Sequence, residues 1–237
     1  MKILYRISDG SYNKQKIANK EKCLTNFISC FPTREIILLV DKINQDTKIW
    51  LEELIIDTGI KTEYITGGSS AQSFRIALEY AINNFDDNEI VYFVEDDYLH
   101  LQNSRKILLE GMSYSNGIYL SLYDCPDKYR SEHCPYVNPK IDNSGGEVTR
   151  VIITKSHHFK ISNSTTLTFA TRINTLKEDW EVWKKWCFVD NSQIHPHDYE
   201  AFLELGERGR SLLTPIPSLS THTEPLWLAP LIDWRKI

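Results

Sequence analysis

Four short apolar runs, KILYRI (2–7), EIILLV (35–40), KTEYIT (61–66) and EIVYFV (89–94), punctuate the first hundred residues of this chain. Runs of this length rich in Ile, Val, Leu and Tyr read as strands buried on both faces. Between them lie segments with helical spacing. The clearest runs from Ser69 to Phe85, where Phe74, Leu78, Ala81, Ile82 and Phe85 recur at three and four and mark one face for packing on a sheet. Two weaker helices are expected over 15–30 and 45–57. Strand, helix, strand, helix is the pattern of a parallel doubly wound sheet, whose ligand sites form outside the carboxyl ends of the strands.

Beyond residue 100 the rhythm changes. Strands are expected at GIYLSLY (117–123), EVTRVIIT (147–154) and TTLTFAT (165–171), and helices over 172–187 and 198–208. The loop 124–146 has no periodicity, and the tail 211–237, with its four prolines, is expected to wrap the surface. No repeat or linker interrupts the chain, so one mixed α/β domain is expected over 1–237.

Charge narrows the partners. With 27 Lys and Arg against 32 Asp and Glu among 237 residues, the net charge is −5 and no block of like charges stands out. Binding of nucleic acid through sheer charge is therefore not expected, and an anionic ligand has to be met locally by a metal or a few basic groups. The five cysteines form no CxxC pair. Reduced thiols in a cytoplasmic setting are the simpler expectation, ahead of a Cys125–Cys134 bridge. The opening MKILYRISDG lacks an apolar signal region, and the longest apolar runs are too short to span a bilayer, so no transmembrane segment is expected. Peripheral membrane attachment stays open.

Chemistry concentrates at Glu95, Asp96 and Asp97, directly after the fourth apolar run. Adjacent carboxylates repel unless a cation offsets them, and hard oxygen ligands suit Mg²⁺ or Mn²⁺ bridged to phosphate. The competing reading makes Asp97 a cap for a helix over 99–111.

At this point the chain resembles glycosyltransferases of the GT-A fold, including the inverting family 2 type, whose mark is a short acidic DxD motif at the end of the fourth strand. Glu95, Asp96 and Asp97 match it, with Glu95 in place of the usual first aspartate. The resemblance implies a single Rossmann-like GT-A domain, with a mostly parallel sheet flanked by helices and a smaller antiparallel acceptor-side part. Residues 1–100 would be its nucleotide-binding half, and 101–237 its acceptor-binding half and tail. It implies Asp97 as metal ligand, with Glu95 or Asp96 facing the ribose or a metal-bound water. It also implies Ser8, Asp9 and Asp41 at the nucleoside, Gly67 and Gly68 opening the helix before the motif, and Arg75 directed at the nucleotide. The implied cofactor is Mn²⁺ or Mg²⁺. The implied partners are a nucleotide-sugar donor, UDP-linked, and a glycan or glycoconjugate acceptor.

By the same resemblance Asp198, in HPHDYE, falls where such enzymes place the base that takes the acceptor proton. An acid in the first turn of a helix is also favoured by the helix dipole alone. His222 falls where many members carry a further metal ligand. Tyr123, Asp124 and Tyr129 stand where the transferred sugar and acceptor are met, and His157 and His158 are candidates for the diphosphate or acceptor. His195 and His197 have no third ligand at metal spacing, so zinc is not supported. Trp180, Trp183 and Trp186 recur every third residue. A core-packing stripe is preferred over a sugar-stacking platform.

Two rival classes are a sugar-1-phosphate nucleotidyltransferase and a non-catalytic carbohydrate- or cation-binding module. The first calls for a glycine-rich basic loop after the first strand, where this chain has SDGSYNKQK.

Overall fold

The computed structural model describes residues 1–10, 15–132, 138–188 and 195–237. The opening half follows the alternation: β1 (Lys2–Ser8), α1 (Lys20–Cys30), β2 (Ile36–Asp41), α2 (Gln45–Ile55), β3 (Lys61–Ile65), α3 (Ser70–Asn84) and β4 (Ile90–Val94). Each helix begins on a polar side chain that accepts a backbone N–H inside the first turn. These are Asn19 from Lys22 at 2.8 Å, Asn44 from Thr47 at 2.9 Å and Ser69 from Gln72 at 3.2 Å. β1 to β4 lie parallel in the order β3-β2-β1-β4. β3 is the exception to burial on both faces. It forms the sheet edge and none of its residues is buried.

The second half departs further from expectation. After β5 (Tyr98–His100) and α4 (Ser104–Met112) come β6 (Ile118–Leu120), the one-turn α5 (Pro139–Asp142), β7 (Val151–Ile153), β8 (His158–Ser162) and β9 (Phe169–Arg172). The single helix expected over 172–187 is two, α6 (Ile173–Glu178) and α7 (Trp180–Cys187). Between them the Asp179 carboxylate accepts from Tyr119 Oη at 2.9 Å and Arg210 Nε at 2.8 Å. After α8 (Asp198–Glu207) the first part of the tail, 211–222, does not wrap the surface. It forms β10 (Ser211–Ile216), which runs between β6 and β8 inside the sheet, and β11 (Ser220–His222), which pairs with β5. Pro215 is tolerated there because it lies past Leu213, the last residue paired with β6.

Among the described residues nine strands form one sheet, β3-β2-β1-β4-β9-β6-β10-β8-β7, in which β8 and β9 run against the rest. The fold class is thus α/β with a mostly parallel sheet. Helices cover both faces. Side chains alternate across β1, so Ile3, Tyr5 and Ile7 join Phe27, Leu51 and Leu108 in one core, while Leu4 joins Phe74, Leu78, Trp183 and Phe202 in the other. Trp183 is fully buried, stacked on Phe169 with ring centroids 5.2 Å apart, so the tryptophan stripe packs into the core. Cys23, Cys30, Cys125 and Cys187 are free thiols, and Cys134 lies outside the described residues. Among the described residues no helix is long and apolar enough to cross a membrane.

Candidate active site

A cavity of about 460 Å³ opens at the carboxyl ends of β1, β2 and β4. One wall comes from those strand ends. Alternation places Arg6 on the Leu4 side of β1 and Glu95 beyond Phe93 on the same side, and there the Arg6 guanidinium pairs with Glu95, donates to Ser70 O at 3.0 Å and lies over the Phe74 ring. Asp96 accepts from Ser8 N at 2.9 Å, with Lys20 Nζ 3.5 Å away. Asp97 Oδ2 meets Lys16 Nζ at 2.9 Å and His222 Nε2 at 3.1 Å. His222 reaches this point because the small β5–β11 sheet pairs it with Tyr98 and ties Thr223 N to Asp97 O at 2.9 Å. Asp97 caps no helix. β5 follows it directly, and α4 begins only at Ser104.

The three acids differ in affinity for a proton. Burial raises Glu95 to about 7 despite the Arg6 guanidinium beside it. Burial also raises Asp96, with Lys20 opposing and Asp97 adding to the shift. Burial alone would raise Asp97, but His222 and Lys16 overcome it and hold that carboxyl well below the usual range.

The opposite kind of wall carries Asp198 at the first turn of α8, beside the 165–168 turn. Asp198 Oδ2 accepts from Thr165 Oγ1 at 2.9 Å and Leu167 N at 3.1 Å. Thr166 and Leu167 hold positive φ values of 43° and 62°, a strained backbone that this carboxylate helps to fix. Desolvation raises the Asp198 pKa, and the bonds from Leu167 and Thr165 oppose it.

Among the positions named from sequence, Ser8, Asp9, Asp41, Gly68, Glu95, Asp96, Asp97, Asp198 and His222 all line this cavity. Asp9 has its carboxylate engaged by Asn44 N at 2.7 Å and Thr47 Oγ1 and Lys20 Nζ at 3.1 Å. Asp41 uses both oxygens on the glycine turn, accepting from Gly67 N at 3.1 Å and Gly68 N at 3.3 Å. Gly67 lies behind the wall, where a Cβ would stand 2.7 Å from Asp41 and 2.8 Å from the Ser73 backbone. Arg75 is not brought to the cavity. It points outward, bonded to Glu79 at 2.9 Å and lying over the Phe188 ring. Tyr123, Asp124 and Tyr129 do not line it either: Tyr123 donates to Trp227 O at 2.7 Å, and Tyr129 donates to Asp124, which is paired with Lys160 at 2.9 Å. His157 sits against Ser156 away from the cavity.

Sequence reasoning missed Arg6, Lys16, Lys20, Lys42 and the 165–167 turn. The one available signal was Arg6 itself, a charge inside an otherwise apolar strand.

Among the described residues no three His, Cys, Asp or Glu side chains converge as a metal cage. The cavity offers two donors, Asp97 Oδ2 and His222 Nε2. A carboxylate oxygen and an imidazole nitrogen fit a divalent ion that takes its remaining ligands from water and phosphate.

No protein-family model matches the chain, and neither does any curated protein. Solved structures do. A crystal structure of GalNAc-T7 with UDP, GalNAc and Mn²⁺ superposes with a TM-score of 0.61 at 12% identity, covering 96% of this chain and 44% of that one. A crystal structure of Staphylococcus aureus TarS 1–349 gives 0.50 at 14%, covering 90% and 60%. A cytidylyltransferase from Leptospira borgpetersenii gives 0.42, too distant to bear on the reading. The fold is thus the GT-A type of α/β fold. The chain spans less than two thirds of the length of either glycosyltransferase.

Proposed function

We propose that the protein is a glycosyltransferase that moves a sugar from a nucleoside diphosphate donor, UDP-linked, to a hydroxyl of a glycan acceptor with inversion, and that 1–237 form one catalytic domain. The observation that carries the reading is one cavity lined by an acidic triplet paired with cations and by a carboxylate, Asp198, that among the described residues is held by neutral donors. The UDP, GalNAc and Mn²⁺ in the superposable GalNAc-T7 structure support it. A reducing, cytoplasmic setting, with peripheral membrane attachment left open, belongs to the same proposal and fits the four buried free thiols.

Asp97 and His222 would hold Mn²⁺ or Mg²⁺, which supplies positive charge to the departing diphosphate. Asp96 and Lys20 order the end of β1, where Ser8 and Asp9 meet the nucleoside. Asp41 fixes the Gly67-Gly68 turn that flanks it. In the transfer the acceptor oxygen forms a bond to the anomeric carbon as the carbon–oxygen bond to the diphosphate breaks, and Asp198 takes the hydroxyl proton. Its raised pKa makes it a better proton acceptor than an ordinary aspartate.

The test is nucleoside diphosphate release across a panel of nucleotide sugars with Mn²⁺ and glycan acceptors. Release from at least one donor is expected, and its loss in Asp97→Ala. A panel with no release from the wild-type protein overturns the proposal.

A further inference from the structure

Lys16 stands at an oxygen that the proposed metal site needs. Its ammonium lies 2.9 Å from Asp97 Oδ2, the same atom that stands 3.1 Å from His222 Nε2. A divalent ion held by that carboxylate and that imidazole would sit against the ammonium, and two cations competing for one oxygen repel each other strongly where solvent is partly excluded. Exclusion applies here, since the side chains of Lys16 and Asp97 are 23% and 16% exposed.

Lys20, the first residue of α1, is bound differently. It donates to Ser8 O, lies 3.1 Å from Asp9 Oδ1 and touches Asp96 only at 3.5 Å, so its charge is anchored away from Asp97. Lys16 also has room to leave. It lines both the main cavity and an adjoining one of about 460 Å³ bounded by Asn19, Thr47 and Trp50. Lys20 lines both as well, but its ammonium is tied to Ser8 O and Asp9, whereas that of Lys16 has open space beside its contact with Asp97.

We propose that Lys16 is an internal counter-cation that competes with a divalent metal ion for Asp97, and that metal binding frees its ammonium. The inference rests on the assignment of Asp97 and His222 as metal ligands. It concerns how the site is loaded, not which sugar is transferred.

Mn²⁺ titration of the 237-residue chain, followed by electron paramagnetic resonance of the free ion, tests it directly. Lys16→Met is expected to bind Mn²⁺ on the order of three to five times more tightly than wild type, the effect of losing a partly shielded ion pair. Lys20→Met is expected to stay closer to wild type, and Asp97→Ala to lose the site. In the unmodified protein Mn²⁺ is expected to raise the rate of reductive methylation at Lys16 relative to Lys20, read by peptide mass spectrometry. This second readout needs no variant to fold. Unchanged or weaker affinity in Lys16→Met, equal gains in both lysine variants, undiminished binding in Asp97→Ala, or a Lys16 methylation rate indifferent to Mn²⁺ would each overturn the proposal. Failure of the glycosyltransferase reading is seen separately, as absence of nucleoside diphosphate release from the donor panel.

Discussion

The two walls of the cavity solve the problem of holding carboxylates in opposite ways. On the strand-end wall each acid of the 95–97 triplet has a cation: Arg6 on Glu95, Lys20 near Asp96, Lys16 on Asp97. On the α8 wall Asp198 is held by a hydroxyl and a backbone N–H. Charge pairing keeps Asp97 ionised far into the acid range, which suits an ion ligand. Neutral hydrogen bonds cannot fully offset desolvation, so Asp198 keeps a raised affinity for a proton. The difference separates Asp97, suited to binding a cation, from Asp198, suited to accepting a proton, while burial outweighs the cations at Glu95 and Asp96.

That contrast can be broken by experiment. The largest effect is expected from Asp198→Asn, which keeps an acceptor for Thr165 and Leu167 but cannot take a proton. Transfer should fall by about 10²–10⁴ with donor binding retained, measured by initial rates beside calorimetric titration. Undiminished turnover would remove Asp198 from the role. In the wild type a raised pKa means that activity is lost as pH falls through a value above the ordinary aspartate range, and this limb should be missing from the residual rate of Asp198→Asn.

A buried pair outside the cavity probes charge pairing as a structural device. Lys160 is 3% exposed and lies 2.9 Å from Asp124 and 3.2 Å from Glu147. Lys160→Met strands both carboxylates and should cost about 3–5 kcal/mol in denaturant unfolding. A loss under 1 kcal/mol would show that water reaches the cluster.

Gly67→Ala asks whether the glycine turn is as tight as its contacts indicate. The added carbon would meet Asp41 and the Ser73 backbone, and overpacking of this kind costs about 1–3 kcal/mol. A melting temperature equal to wild type would mean that the turn shifts freely. The smallest effect is expected at Arg75, which lies outside the cavity. Arg75→Ala should stay within about 0.5 kcal/mol in stability and leave transfer rates unchanged.

Legibility divides along the chain as well. The first four strands and their three helices could be read within a residue or two at most ends, because apolar content and period are carried by each segment's own residues. α1 is an exception, starting at Lys20 where the reading placed 15. The second half was less open to such reading. β6, β7 and β9 are three or four residues long, too short to show a period, and β8 was missed altogether. β10 was hidden by its proline and defined by partners far away in the chain. The acids of the site stood out as a run, whereas Lys16 and Lys20 look like ordinary surface lysines until the fold brings them to Asp97 and Asp96.

From sequence alone came the alternating α/β frame and the position of the acidic triplet at a strand end, because burial period and local charge repulsion are properties of neighbouring residues. Only the tertiary structure decided which cation answers each acid, that His222 joins Asp97, and that Arg75 turns away. Those outcomes depend on register between strands far apart in the chain, which no local pattern encodes.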